Sequence, residues 1–183
     1  MIKKTLSILI LLTILISIPS SALAQDYYFQ LEENIVHVYW NEDGTMSLRY
    51  SMTFYNDPSG HPIEYVDLGL PNYNFDANTI TADVDGKPVS DISSSEFQGT
   101  GSGVAIALGN NAILPGSRGT VNISVPIVRD VLFVDDDDEA YASAVFVPAY
   151  FVSSVVYGKT NLEVTYHLPP GVQPDEPRWH SSP

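Results

Sequence analysis

Along most of this chain apolar side chains fall at every second position. In the stretch 45–55, Met46, Leu48, Tyr50, Met52 and Phe54 share one parity, while Thr45, Ser47, Arg49, Ser51, Thr53 and Tyr55 share the other. Successive side chains of a strand point to opposite faces, so this pattern predicts a half-buried strand. The preceding run 35–40 is β-branched and aromatic. Between the two lies Asn41-Glu42-Asp43-Gly44, whose Asp-Gly step suits the positive φ of a hairpin turn. The domain is therefore expected to open with a long hairpin.

The same period recurs. Val66, Leu68 and Leu70 align within 63–70, Ile80, Ala82 and Val84 within 79–85, and Val121, Ile123, Val125 and Ile127 within 120–127. Further strands are predicted over 104–108, 141–147 and 161–168. Asp85-Gly86-Lys87-Pro88 and Pro115-Gly116-Ser117-Arg118-Gly119 supply turns. Pro126 lies inside its strand and donates no ladder hydrogen bond, which predicts an edge or a bulge there. No run outside the N-terminal segment carries a helical period. Eight or nine short strands with Gly, Pro, Asn and Asp turns predict an all-β fold, an antiparallel β-sandwich of immunoglobulin-like type. The polar stretch 90–103 is expected to be its least structured loop.

The first residues change the picture from fold to compartment. Lys3 and Lys4 precede an almost purely apolar stretch, Leu6 to Ile18, shorter than the ~20 residues of a spanning helix. Pro19-Ser20-Ser21 and Ala22-Leu23-Ala24 follow, a pattern that predicts a cleaved signal peptide over 1–24; an uncleaved signal anchor is the rival reading. The β-domain then covers 25–168. Residues 169–183 hold Pro169, Pro170, Pro174 and Pro177, which suit neither strand nor helix. They read as a linker or tail, and as the start of a missing region if the chain is part of a longer protein.

Charge narrows the partners. The whole chain has 8 basic and 22 acidic residues, a net charge of −14 that becomes −16 once Lys3 and Lys4 leave with the signal. Such a surface repels nucleic acid and anionic lipid. There is no cysteine, so neither a disulfide framework nor thiol chemistry is available. An exported bacterial protein fits this combination.

Candidate chemistry is sparse. Five consecutive acids, Asp135 to Glu139, would place Asp135, Asp137 and Glu139 on one side of an extended loop. Calcium takes six to eight oxygen ligands on a turning backbone, so these three are the candidate ligands of a weak calcium site; a solvated loop is the plainer reading. No other cofactor is expected. The run Gly99-Thr100-Gly101-Ser102-Gly103 is followed by a strand and by no Lys-Ser/Thr, which argues against a phosphate loop. His37, His61, His167 and His180 stand alone, without the i, i+2 or i, i+4 spacing of a local metal site. No nucleophile-elbow pattern occurs, and no catalytic residue is assigned. Two aromatic clusters stand out: Tyr27, Tyr28 and Phe29, and later Phe146, Tyr150, Phe151 and Tyr157. They suit core packing, or a platform for a protein or glycan.

The stretches YWNEDGTMSLRYSMTFYND (39–57), HPIEYVDLGLPN (61–72) and AILPGSRGTVNISV (112–125) resemble the exported N-terminal β-domain of a group of uncharacterised bacterial predicted membrane proteins. The resemblance covers about residues 30–170 and consists of turn and strand motifs. It implies an exported domain held at the membrane by later sequence, and it brings no active-site residues. The functional expectation is thus a non-catalytic interaction or sensing domain at the bacterial cell surface, with an unknown protein or glycan ligand. The alternative is a secreted carbohydrate-active protein, either a glycan-binding module or a hydrolase.

Overall fold

The computed structural model describes residues 27–136 and 138–178. The signal peptide assigned to 1–24 and the last five residues of the tail lie outside them. Eleven strands are described: β1 (Phe29–Trp40), β2 (Met46–Asn56), β3 (Tyr65–Leu70), β4 (Thr81–Val84), β5 (Lys87–Val89), β6 (Asp91–Ser93), β7 (Ser102–Ala107), β8 (Arg118–Val128), β9 (Phe133–Val134), β10 (Ala142–Ser143) and β11 (Asn161–His167). The count exceeds eight or nine because β5, β6 and β9 are two or three residues long, too short to show an alternation. The only helical elements described are single 3₁₀ turns at Ala77–Thr79 and Gly109–Asn111.

The fold is all-β and sandwich-like. A six-stranded sheet, in the order β11-β1-β2-β8-β4-β5, and a three-stranded sheet, β3-β7-β6, contribute to one apolar core; β9 and β10 form a separate ribbon. Met46, Leu48, Tyr50, Met52 and Phe54 all face that core, as their parity predicts, and so do Val66, Leu68, Val121, Ile123 and Val125. The β1–β2 hairpin closes through Asn41–Thr45. Gly44 takes φ 79°, and Asp43 Oδ1 accepts from the Thr45 amide at 3.0 Å and its hydroxyl at 2.7 Å. This is turn chemistry in the sense that Asp-Gly predicts.

Two bulges adjust the ladders. One lies in β1 at Glu32, where Leu31 pairs with Phe54 and Glu33 with Thr53. It switches parity, so Leu31 and then Asn34, Val36 and Val38 all point inward. The other lies in β8, where Leu48 pairs with Val125 but Met46 with Val128. The extra residue falls at Pro126–Ile127, the bulge that Pro126 predicts.

Three local expectations change. The stretch 90–103 is not a single loop: β6 and the start of β7 occupy its ends, and the Phe97 ring covers β7 at Gly103, where a Cβ would come within 2.6 Å of it. The run 141–147 forms only the two residues of β10. Finally, one pairing is parallel: β11 lies beside β1, Val36 against Val164 and Tyr39 against His167. β11 thereby lies along the outer edge of β1 from Glu33 to Tyr39, and the apolar run 144–152 joins no ladder.

Candidate functional site

The two aromatic clusters of the sequence, more than a hundred residues apart, meet in space. The Phe29 amide donates to Val155 O and the Tyr157 amide donates to Phe29 O, both at 3.0 Å. The late segment is thus stitched to the start of β1. Phe29, Phe54 and Phe151 then pack edge to face, with ring centres 5.4–5.7 Å apart, and Tyr28 stacks on Tyr157 at 4.6 Å. These separations are those favoured by the ring quadrupoles.

Beside the phenylalanine trio lies a cleft of about 460 Å³. Its apolar side is formed by Tyr27, Phe29, Phe54, Ile63, Phe151 and Val155. Its other side is formed by Tyr65 and Asp67 of β3, Ala105 of β7, and Glu96 and Gln98 of the 94–101 loop. Asp67 sits there because β3 alternates: Val66, Leu68 and Leu70 turn into the core, so Tyr65 and Asp67 turn to the opposite face. Burial pushes the Asp67 carboxyl above its ordinary pKa, opposed by the Gln98 amide, which donates to Oδ2 at 3.3 Å. Burial likewise raises the Tyr27 phenol, helped by the neighbouring acids Glu64 and Asp67. The arrangement is an aromatic floor with one half-buried carboxylate and a second acid, Glu96, on its wall. It suits an apolar or aromatic group that carries a hydrogen-bond donor or a positive charge.

The segment that supplies Phe151 and Val155 is itself unusual. Val145, Val147, Tyr150 and Val152 are between 61% and 78% exposed, and Phe133 and Val134 of β9 are exposed nearby in sequence. Alternate members turn the other way: Phe146 packs on the core and against Tyr166, and Ala149 O accepts from the buried Asn34 Nδ2 at 3.0 Å. The Asn34 Oδ1 and the Tyr50 hydroxyl are buried beneath this segment, without hydrogen-bond partners among the described residues. The Tyr50 hydroxyl lies near the Ala149 backbone without hydrogen-bond geometry, and burial raises its pKa strongly.

The described acids of the run, Asp135, Asp136, Asp138 and Glu139, lie at the tip of the β9–β10 ribbon. Asp135 Oδ1 accepts from the Asp138 amide at 3.1 Å, Oδ2 accepts from the Ser143 hydroxyl, and Asp138 Oδ1 accepts from the Ala140 amide. Of the three candidate calcium ligands, Asp135 is engaged in holding this loop, Glu139 is exposed, and Asp137 lies outside the described residues. Among the described residues no group of three or more His, Asp or Glu converges to hold a metal. The tail returns to the same ribbon, with the Arg178 guanidinium 4.9 Å from the centre of the Tyr141 ring.

Local spacing missed one constellation altogether. His37 of β1 and His167 of β11 face each other, with Nδ1 and Nε2 2.9 Å apart. They are 130 residues apart in sequence, and only the parallel pairing of the two strands brings them together. No sequence signal short of that pairing would find them.

No family model matches the chain, and no curated protein matches it. Among solved structures it is similar to an M1 zinc metallopeptidase from Deinococcus radiodurans, with 16% identity and a TM-score of 0.40. A mutant of that enzyme bound to a Tyr-Ser-Ala substrate shows 14% identity and a TM-score of 0.38. Each likeness covers 57% of this chain and 21% of the other.

Proposed function

We propose that this chain is a non-catalytic, exported interaction domain of a bacterial cell-surface protein, which docks a protein partner at the aromatic cleft. The observation that carries the reading is the continuity of that cleft with the exposed apolar segment 145–152, since Phe151 lines the one and belongs to the other, and Val155 continues the lining three residues beyond its end. Apolar side chains gathered at a surface mark interaction sites. The complementary segment offers an aliphatic or aromatic side chain for the floor and a neighbouring lysine or arginine for Asp67 and Glu96. The net charge of −14 speeds the approach of such a basic partner and disfavours nucleic acid. The export signal and the resemblance support the surface location, with membrane tethering through further sequence.

A second reading follows from Asp67 and Glu96 lining one aromatic cleft: a carbohydrate-active protein, in which carboxylates and tyrosines address sugar hydroxyls and faces. One experiment separates the two. The purified chain and its Phe151→Ala and Asp67→Asn variants are applied to a library of short peptides with apolar and basic positions, and to a glycan array. Peptide capture that falls about tenfold or more in both variants supports the interaction domain. Capture of glycans alone moves the assignment to the second reading, and capture that neither variant weakens removes the cleft from both.

A further inference from the structure

We propose that His37 and His167 form an open two-imidazole site for a borderline divalent transition ion of the zinc, nickel or copper class. The site is independent of the aromatic cleft, on the opposite, polar face of the six-stranded sheet.

The geometry points to a metal for three reasons. First, the facing nitrogens are His37 Nδ1 and His167 Nε2, 2.9 Å apart, so the two rings already present one nitrogen each to a shared hydrogen that an ion can replace. Second, the ring centres are 5.1 Å apart. Two imidazoles holding one tetrahedral ion at ~2.0–2.1 Å also place their ring centres about 5 Å apart. Uptake therefore requires each ring to turn about its own centre until its nitrogen faces the ion, with the separation of the ring centres, and so of the strands, kept. Third, the rings are held in place. Tyr39 stacks flat on His167, with centres 4.1 Å apart and planes within 7°, and the β1–β11 ladder fixes both backbones. Imidazole is the ligand type that these ions favour, and hard cations such as calcium and magnesium decline it.

The protons balance without a net change. In the ion-free pair one of the two facing nitrogens carries the shared hydrogen. On binding that hydrogen leaves for solvent and the same ring takes one up on its outer nitrogen, leaving His37 protonated at Nε2 and His167 at Nδ1. Both rings remain neutral, and water or a small ligand fills the remaining coordination positions. Charged residues on this face include Glu163, two residues from Thr165 opposite His37 on β11, and Arg49, which pairs with His37 across β1–β2 and whose guanidinium lies 5.4 Å from the centre of the Tyr39 ring; Arg49 is the one of like sign to the ion. Its charge opposes the ion, so the site is one of moderate affinity that Arg49→Gln tightens.

The test is calorimetric titration of the purified chain with zinc and with nickel, against magnesium and calcium, beside His37→Gln and His167→Gln. One zinc or nickel per chain is expected, weakened about tenfold or more by either substitution, and weakened again on lowering the pH from about 7.5 to about 5.5, where imidazoles protonate. Copper(II) loaded on the unaltered chain should show two equivalent-type nitrogen couplings by electron paramagnetic resonance, a readout that needs no variant. No uptake by the unaltered chain, uptake that survives both substitutions, or a copper spectrum without nitrogen coupling would each overturn the proposal.

Discussion

The part of the chain up to Val128 and the part after it use the same kind of residues to opposite ends. In the first, alternating apolar residues disappear: Val36, Leu48, Met52, Phe54 and Val121 are fully buried. In the second, Ala142 to Val152 is just as apolar, yet Val145, Val147 and Tyr150 stand in solvent. The difference is what covers the face. β2 and β8 turn their apolar faces into a core that Val66, Leu68, Val104 and Ile106 of the three-stranded sheet complete from the other side. The segment 144–152 forms no ladder; it lies over the inward side chains of β1 and β2, anchored through Phe146, Ala149 and Phe151. An alternating pattern therefore states which residues share a face; whether that face is covered depends on partners supplied from elsewhere in the chain.

The largest expected effect tests this contrast directly. Phe54→Ala removes a fully buried ring from the phenylalanine trio and should cost about 3–5 kcal/mol in denaturant unfolding. Tyr150→Ser removes an equally large side chain that is 78% exposed, and should fall within about 0.5 kcal/mol of the unaltered protein. Comparable losses for the two would mean that the late segment is core after all, and the division between the regions would fail.

The same contrast explains what the sequence made legible. The β1–β2 hairpin, the inward sets of β2, β3 and β8, the Asp43-Gly44 turn and the bulge at Pro126 all rest on neighbours in sequence, where period and turn chemistry act. The parallel β1–β11 pairing rests on no local pattern, and with it the meeting of His37 and His167 stayed hidden. The cleft was half visible. Its aromatic residues stand out as two clusters, but their union depends on the Phe29–Val155 and Phe29–Tyr157 backbone bonds. Asp67 gave no signal, because one carboxylate among 22 acidic residues looks like any other until its burial is known.

A smaller effect asks whether apolarity or mere burial governs the first region. Asn56 is fully buried, and its Nδ2 donates to His61 O and Ile113 O, both at 2.8 Å. It ties the end of β2 to the turns around it. Asn56→Ala leaves two carbonyls without that donor and should cost about 2 kcal/mol, less than Phe54→Ala and far more than any change at Tyr150. A loss below that of Tyr150→Ser would show that water replaces the amide, and that this end of the sandwich is more open than its burial implies.

The smallest effect lies at the seam between the two regions, where Asp67 of the first meets Phe151 and Val155 of the second across the cleft. Burial raises the Asp67 carboxyl above its ordinary value. The folded chain therefore holds this proton more tightly than the unfolded one. Its contribution to stability is fully present below the unfolded pKa and is lost as the pH rises through the raised folded value. Asp67→Asn should flatten that part of the stability profile, measured by thermal melts at a series of acidic pH values. If the late segment is what keeps water from Asp67, Phe151→Ala should bring the carboxyl back toward the ordinary carboxylate range, read by carboxyl-carbon NMR titration. A carboxyl that titrates unchanged in Phe151→Ala would assign its burial to β3, β7 and the 94–101 loop alone. The cleft would then belong to the first region, with the exposed segment as its neighbour and not its wall.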